Sequence, residues 1–174
     1  MDNGRKLIKI DETNFVPFWA PNLSGDPTKS KFGATTRTCA IVIPDPEQVK
    51  DLMKRGIEVH DTKPGKNDDP DNYEPMYFVN AILAYRDKLG NELRPPKVVL
   101  ITDDDEEVQL HEDDVGCLDK MRIEYIRVLL NPSPKRNGNG YTLYINVLYA
   151  KQDLSEDPFA ELYRKKSEND ELPF

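Results

Sequence analysis

Residues 121–151, MRIEYIRVLLNPSPKRNGNGYTLYINVLYAK, concentrate the two kinds of side chain that grip single-stranded nucleic acid. The segment holds five cations, Arg122, Arg127, Lys135, Arg136 and Lys151, against one acid, Glu124. It also holds four of the chain's eight tyrosines, Tyr125, Tyr141, Tyr144 and Tyr149. Cations can follow the phosphates of a strand while rings stack on its bases, whatever those bases are. Two strand-like runs flank a Pro/Lys/Arg/Asn/Gly loop, so the expected element is a β-hairpin with a basic tip. The same residues also suit an ordinary amphipathic hairpin, because Tyr and Arg are common on sheets.

Catalytic chemistry finds little support in the chain. It has no nucleophile elbow, no HExxH and no phosphate-binding glycine motif. His60 and His111 are scattered, and Cys39 and Cys117 lack the paired spacing of a zinc site, so neither a metal nor another cofactor is expected. Asp103, Asp104, Asp105, Glu106 and Glu107 follow a strand-like run, yet a hard cation needs carboxylates converging from several elements. Five consecutive acids read as a solvated, mutually repelling turn. A binding module is expected rather than an enzyme.

The net charge of −8 at first opposes a nucleic-acid partner. Its distribution does not. Residues 103–114 carry −8, residues 61–74 carry −3 and residues 167–174 carry −3, which leaves +6 on the remainder. Local fields act over about a Debye length, ~8–10 Å in physiological salt, so a basic groove can coexist with a negative total.

Such side chains need a scaffold to position them. At 174 residues the chain suits one domain plus tails, with a core that needs no metal or disulfide. No apolar run approaches the ~18 residues of a membrane-spanning helix. The opening MDNGRKLIKI has no signal-peptide core, so export is not expected and the two cysteines should be reduced in a cytoplasmic setting. Leu7–Ile10 reads as a short strand. Residues 14–31 read as a loop rich in Pro, Gly and Ser that also carries Phe15, Phe18 and Trp19. Residues 36–43, TRTCAIVI, read as a strand ended by Pro44, with Arg37, Cys39, Ile41 and Ile43 on one face. Residues 45–55 predict a helix capped by Asp45, with Pro46 in its first turn and Gly56 as its stop. Ile57–His60 predicts another short strand, followed by a charged connector over residues 61–75. Residues 76–86, MYFVNAILAYR, predict the longest strand, and residues 97–102 and 108–110 predict a pair across the acidic turn. Residues 112–120 suggest a short helix or turn, and residues 157–166 a helical turn capped by Asp157. The last eight residues, SENDELPF, lack periodicity and are expected to be disordered. Many strands with few helices predict an all-β barrel or sandwich.

Blocks spread over residues 23–163 resemble phage-encoded single-stranded DNA-binding proteins with an OB-fold. They begin with Phe32, Arg37 and the strand 39–43 ending in Pro44-Asp45, then Leu52, Gly56, Ile57 and Val59. Arg94-Pro95-Pro96-Lys97-Val98 and Leu100-Ile101-Thr102 follow, then Leu110, Asp114-Val115-Gly116 and Leu118-Asp119. Asn131-Pro132, Gly138-x-Gly140-Tyr141, Asp157-Pro158-Phe159-Ala160 and Tyr163 complete the series. Ile57 stands where that family often has a Trp, and the 61–75 connector is longer and more acidic than the family's.

The resemblance implies a five- to six-stranded OB-like barrel with one or two short helices over residues 1–166, and a disordered acidic tail over residues 167–174. It implies a protein that coats and protects single-stranded DNA in phage replication and recombination, in the cytoplasm of an infected bacterial host. The stacking candidates are then Tyr77, Tyr85, Tyr125 and Tyr144, with Trp19 and Phe32 from loops. Tyr144 is favoured because it alternates with Leu143 and Ile145. The phosphate candidates are Arg37, Arg94, Lys97, Arg127, Lys135 and Arg136. Glu168, Asp170, Glu171, Leu172, Pro173 and Phe174 resemble the acidic tail by which such proteins recruit replication or recombination enzymes. A homodimer is compatible with this reading, and a membrane is not among its partners. Two other readings stand beside it: an acidic DNA mimic that inhibits a host nuclease, and a structural virion protein.

Overall fold

The computed structural model describes residues 6–13, 18–29, 36–62, 66–67, 69–87, 89–102 and 104–153. Phe32, the 157–166 turn, the expected boundary at residue 166 and the whole acidic tail lie outside the described residues.

The described chain is all-β with a single α-helix. Its strands are β1 (Ile8–Thr13), β2 (Phe18–Asn22), β3 (Arg37–Ile43), β4 (His60–Asp61), β5 (Tyr77–Leu83), β6 (Lys97–Ile101), β7 (Glu107–Leu110), β8 (Ile123–Pro134) and β9 (Tyr141–Gln152). The helix α1 is Pro46–Lys54. All nine strands belong to one sheet, with the main path β1-β8-β9-β5-β3-β2. The β6–β7 hairpin joins β9 beside β5, and β4 joins β5. Five strands, β3, β5, β6, β8 and β9, have partners on both sides and make the wall. The other four pair on one side only. The sheet curls until β1 lies against β3, which gives a partly open OB-like barrel.

Alternation along the strands sorts core from surface. Cys39, Ile41 and Ile43 of β3 face Ala81, Val79 and Tyr77 of β5 across the core side, while Thr38, Ala40 and Val42 face Ile82, Asn80 and Phe78 on the other. Val98, Ile126, Val128, Leu130 and Leu148 continue the core. A 3-10 turn at Val115–Asp119 pushes Val115 and Leu118 into the same cluster. The turn is tied to the loop after β2: the Asp119 carboxylate accepts from the Leu23 and Ser24 amides at 2.6 and 3.1 Å. Gly116 leaves room for this contact, since a Cβ there would stand 2.7 Å from the Ser24 Cβ.

The helix forms as expected: Asp45 caps it by accepting from the Glu47 amide at 3.0 Å, and Val49 and Leu52 are buried. Its side chains also cover an open edge. Gln48 donates to the Lys9 carbonyl of β1 at 2.7 Å and Arg55 donates to the Lys6 carbonyl just before the strand, so the helix ties down this end of the sheet.

Three expectations change. Residues 14–31 contain a strand, β2, which pairs with β3 alone. The prolines that argued against a strand are tolerated because β2 is an edge. Ile57–His60 is not a strand along its length; only His60 and Asp61 pair, with Phe78 and Tyr77. The acidic turn is also not purely solvated. Asp105, at φ 61°, accepts from the buried Lys151 ammonium at 2.5 Å, and the Thr102 carbonyl accepts from it at 2.8 Å. Burial alone would lower the Lys151 pKa, but the bond to Asp105 and the nearby negative charge carry it above the ordinary lysine value.

Candidate nucleic-acid interface

A groove of about 570 Å³ opens on the outer face of the sheet, where β5 and β9 diverge. They pair in parallel at Ile82 and Tyr144 and separate toward their N-terminal ends. Thr38, Ala40, Asn80, Ile82 and Thr142 supply outward-facing positions along the groove. One wall is Ile57, Glu58 and His60, from the chain that follows α1. The other is Tyr141 and Lys135, from the tip of the β8–β9 hairpin. Gly56, at φ +84°, ends the helix and brings its chain against the Tyr141 ring. A strand floor between the loop after the first barrel strand and the loop before the last is the arrangement by which OB barrels hold oligonucleotides.

At the groove's margin the His60 ring lies over Phe78, with ring centroids 5.4 Å apart and planes 27° apart. Both rings are half-buried. The β4–β5 pairing sets them opposite each other, since His60 and Phe78 are register partners.

The outer face continues along β9 beyond the groove. Leu129 pairs with Val147 and Leu130 with Ile145, so Asn146 is an extra residue, a β-bulge. The bulge resets the alternation, and Tyr144 and Tyr149 therefore share the outer face although five residues apart. Around Tyr149 the face alternates rings and cations. The Lys97 ammonium is 5.3 Å from the Tyr149 ring centroid, and Arg127, the register partner of Tyr149, places its guanidinium 5.6 Å from the Tyr125 centroid. The Tyr149 hydroxyl bonds Lys97 and raises its pKa. Arg127 also pairs with Asp11 at 3.3 Å. From Thr142 to Tyr149 this face runs roughly 20–25 Å at ~3.3 Å per residue.

The candidates from sequence thus divide. Tyr144, Lys135 and Arg136 stand in or beside the groove, with the Lys135 and Arg136 side chains exposed. Lys97, Tyr125 and Arg127 form the second cluster. Arg94 is exposed in the β5–β6 connection. Trp19 pairs its backbone with Ala40, a groove residue.

Arg37, Tyr77 and Tyr85 do not line the groove. Tyr77 packs on the core. Arg37 points to the core side, donates to the Leu23 carbonyl at 2.6 Å and lies 5.6 Å from the Tyr85 centroid. Tyr85 packs on the core with its hydroxyl buried and unbonded, and burial raises its pKa despite the Arg37 charge. Glu112 anchors the cluster, accepting from Arg86 at 2.5 Å with Arg37 at 3.9 Å. The bond from Arg86 holds the Glu112 carboxyl below the ordinary glutamate value.

His60, Phe78, Tyr141 and Tyr149 are rings of this surface that were not among the stacking candidates, although Tyr141 and Tyr149 lie in the basic segment. Phe78 carried a signal: it alternates with Tyr77 and Val79 and shares its face with the polar Asn80. Among the described residues no group of three or more His, Cys, Asp or Glu is placed to hold a metal, and no helix is long and apolar enough to cross a membrane.

No family model matches the chain, and no curated protein does. Solved structures do. The chain is similar to a C-terminal truncation of the single-stranded DNA-binding protein from bacteriophage Enc34, at 12% identity and TM-score 0.49, over 84% of each chain. For the Enc34 protein in complex with ssDNA the figures are 13% and 0.48, over 84% of this chain and 86% of that one. The structure of gp2.5, a single-stranded DNA binding protein encoded by bacteriophage T7, matches at 13% and 0.40, over 88% of this chain and 97% of that one.

Proposed function

We propose that the protein binds single-stranded DNA without sequence preference, laying the strand in the groove between residues 57–60 and the β8–β9 hairpin. The observation that carries this reading is the groove itself. It has a sheet floor of Thr38, Ala40, Asn80, Ile82 and Thr142, a stacked His60–Phe78 pair at its margin and Lys135 on the far wall. Rings there meet bases through their faces, which every base has, and cations meet phosphates, which every nucleotide has. None of these contacts reads a base edge, so binding tolerates any sequence.

By the resemblance of its sequence blocks, the protein coats and protects the strand during phage replication and recombination. Glu168, Asp170, Glu171, Leu172, Pro173 and Phe174 recruit partner enzymes. On this reading the protein acts by binding.

Titration of a labelled oligothymidine, followed by fluorescence anisotropy, tests the reading. Saturable binding that weakens steeply with salt is expected. Absence of binding at low salt contradicts it.

A further inference from the structure

Beyond Tyr149 the outer face of the sheet changes its charge. Across four strands, Arg127, Tyr149, Val99 and Gln109 form one row of register partners. Tyr125, Lys151, Ile101 and Glu107 form the row two residues further along β9. The register is unbroken between these rows, so the second row presents its side chains on the same face as Tyr149. Tyr125 carries a ring into this row. The row's one cation, Lys151, does not carry usable charge with it.

The bonds from Lys151 to Asp105 and the Thr102 carbonyl leave its side chain 10% exposed, while that of Asp105 is 84% exposed. Solvent at this point therefore meets a carboxylate and not an ammonium. Two more acids stand close by. Glu107 is exposed in the same row, and its charge adds to the Tyr149 bond in raising the Lys97 pKa. Glu124 is exposed just before Tyr125; burial works against the charge of Lys151, and the Asp105 bond together with the Asp105 and Glu124 charges sustains it. Three carboxylates from three segments thus surround one buried ammonium. A phosphate arriving within about a Debye length, ~8–10 Å, is repelled there. One row earlier it meets Lys97 and Arg127.

We propose that Asp105, with Glu107 and Glu124 beside it, ends the strand's path: the single strand is held from the groove to the Lys97–Arg127 row and leaves the protein at the Lys151 row. The inference rests on the proposed single-strand binding and adds to it a fixed end of the site. Asp105 is a positioning residue that acts through Lys151. It cancels the cation that would carry the backbone one step further, and it repels the phosphate that would follow. Contacts that tolerate every sequence cannot themselves mark where a site stops. Repulsion can, because binding is shaped by unfavourable pairings as well as favourable ones. The end of the cationic track then sets how many nucleotides one protein covers.

The test uses the full chain and labelled oligothymidines of graded length, with affinity read by anisotropy across salt. Asp105→Asn removes the charge, and asparagine tolerates the φ of 61° at this position. It is expected to bind several-fold more tightly and to steepen the slope of log K against log salt by about 0.7, the release from one further phosphate. Its affinity should also keep rising for about one nucleotide past the length at which the parent levels off, since two strand residues span ~6–7 Å. Adding Lys151→Met to Asp105→Asn should return the slope to the parent's, because the freed cation is gone. Glu107→Gln, at an exposed position, should lengthen the site in the same direction and carries the test if Asp105→Asn melts early. Unchanged length and slope in the folded variants overturn the boundary and leave the single-strand reading standing. A steeper slope that persists in the Asp105→Asn, Lys151→Met double variant overturns the role assigned to Lys151. If the parent binds no oligothymidine, the single-strand reading and the boundary fall together.

Discussion

Tyr144 and Tyr149 differ by an odd number of positions, and a strict two-residue period sends them to opposite faces of β9. Tyr144 is legible from its neighbours Leu143 and Ile145, both of which are buried. Tyr149 is not legible, because the Asn146 bulge that returns it to the outer face is a property of strand pairing and has no local sequence signature. Arg37 shows the converse. Its place at the start of a strand looked open, but the Leu23 carbonyl and the Tyr85 ring use its guanidinium internally. These placements set an expected order of effects. Tyr144→Ala and Tyr149→Ala should each weaken oligothymidine binding by on the order of 1–3 kcal/mol, the usual value of one stacked base. Tyr85→Phe, which removes a hydroxyl that bonds nothing, should leave binding unchanged. Comparison of the three affinities with fold integrity followed by circular dichroism checks the order.

At the scale of elements, the basic hairpin was the clearest feature of the sequence, and it forms with its tip at residues 135–140. The helix was equally legible, from Asp45, Pro46 and Gly56. β2 was hidden by prolines that only an edge strand tolerates, and the His60–Phe78 stack by a register that no local pattern announces. The hairpin tip carries its own prediction. Replacing Lys135 and Arg136 together with alanine should reduce the slope of log K against log salt by about 1.4, since ~0.7 counterions are released per neutralised phosphate on a single strand. An unchanged slope would remove the tip from the strand's path. The turn after β7 carries another. Glu112 has a lowered pKa in the folded chain, first through the Arg86 hydrogen bond and then through the charges of Arg86 and Arg37. Its stabilising effect is therefore fully present at neutral pH and lost as pH falls through that lowered value. Glu112→Gln should accordingly be less stable than the parent at pH 7 and converge with it in acid, a difference that thermal melts across pH would read.

For the molecule as a whole, the sequence sufficed to give the all-β class, because most strands carry two-residue alternation. It could not show how the sheet closes, since β5 and β6 both join β9 through pairings that span about fifty residues or more. The negative total charge is accommodated by distribution. One acidic run folds back to neutralise Lys151, and the exposed cations Lys135, Arg136 and Lys97 lie at the hairpin tip and on the outer face. The barrel thereby keeps a cationic, ring-bearing path on an acidic protein. Photocrosslinking to an oligothymidine substituted with 5-iododeoxyuridine, with attachment sites read by mass spectrometry, tests that path most directly. Crosslinks should fall on His60, Phe78, Tyr141, Tyr144 and Tyr149. Crosslinks confined to Tyr77, Tyr85 or other residues off the outer face, under saturating binding, would contradict the account.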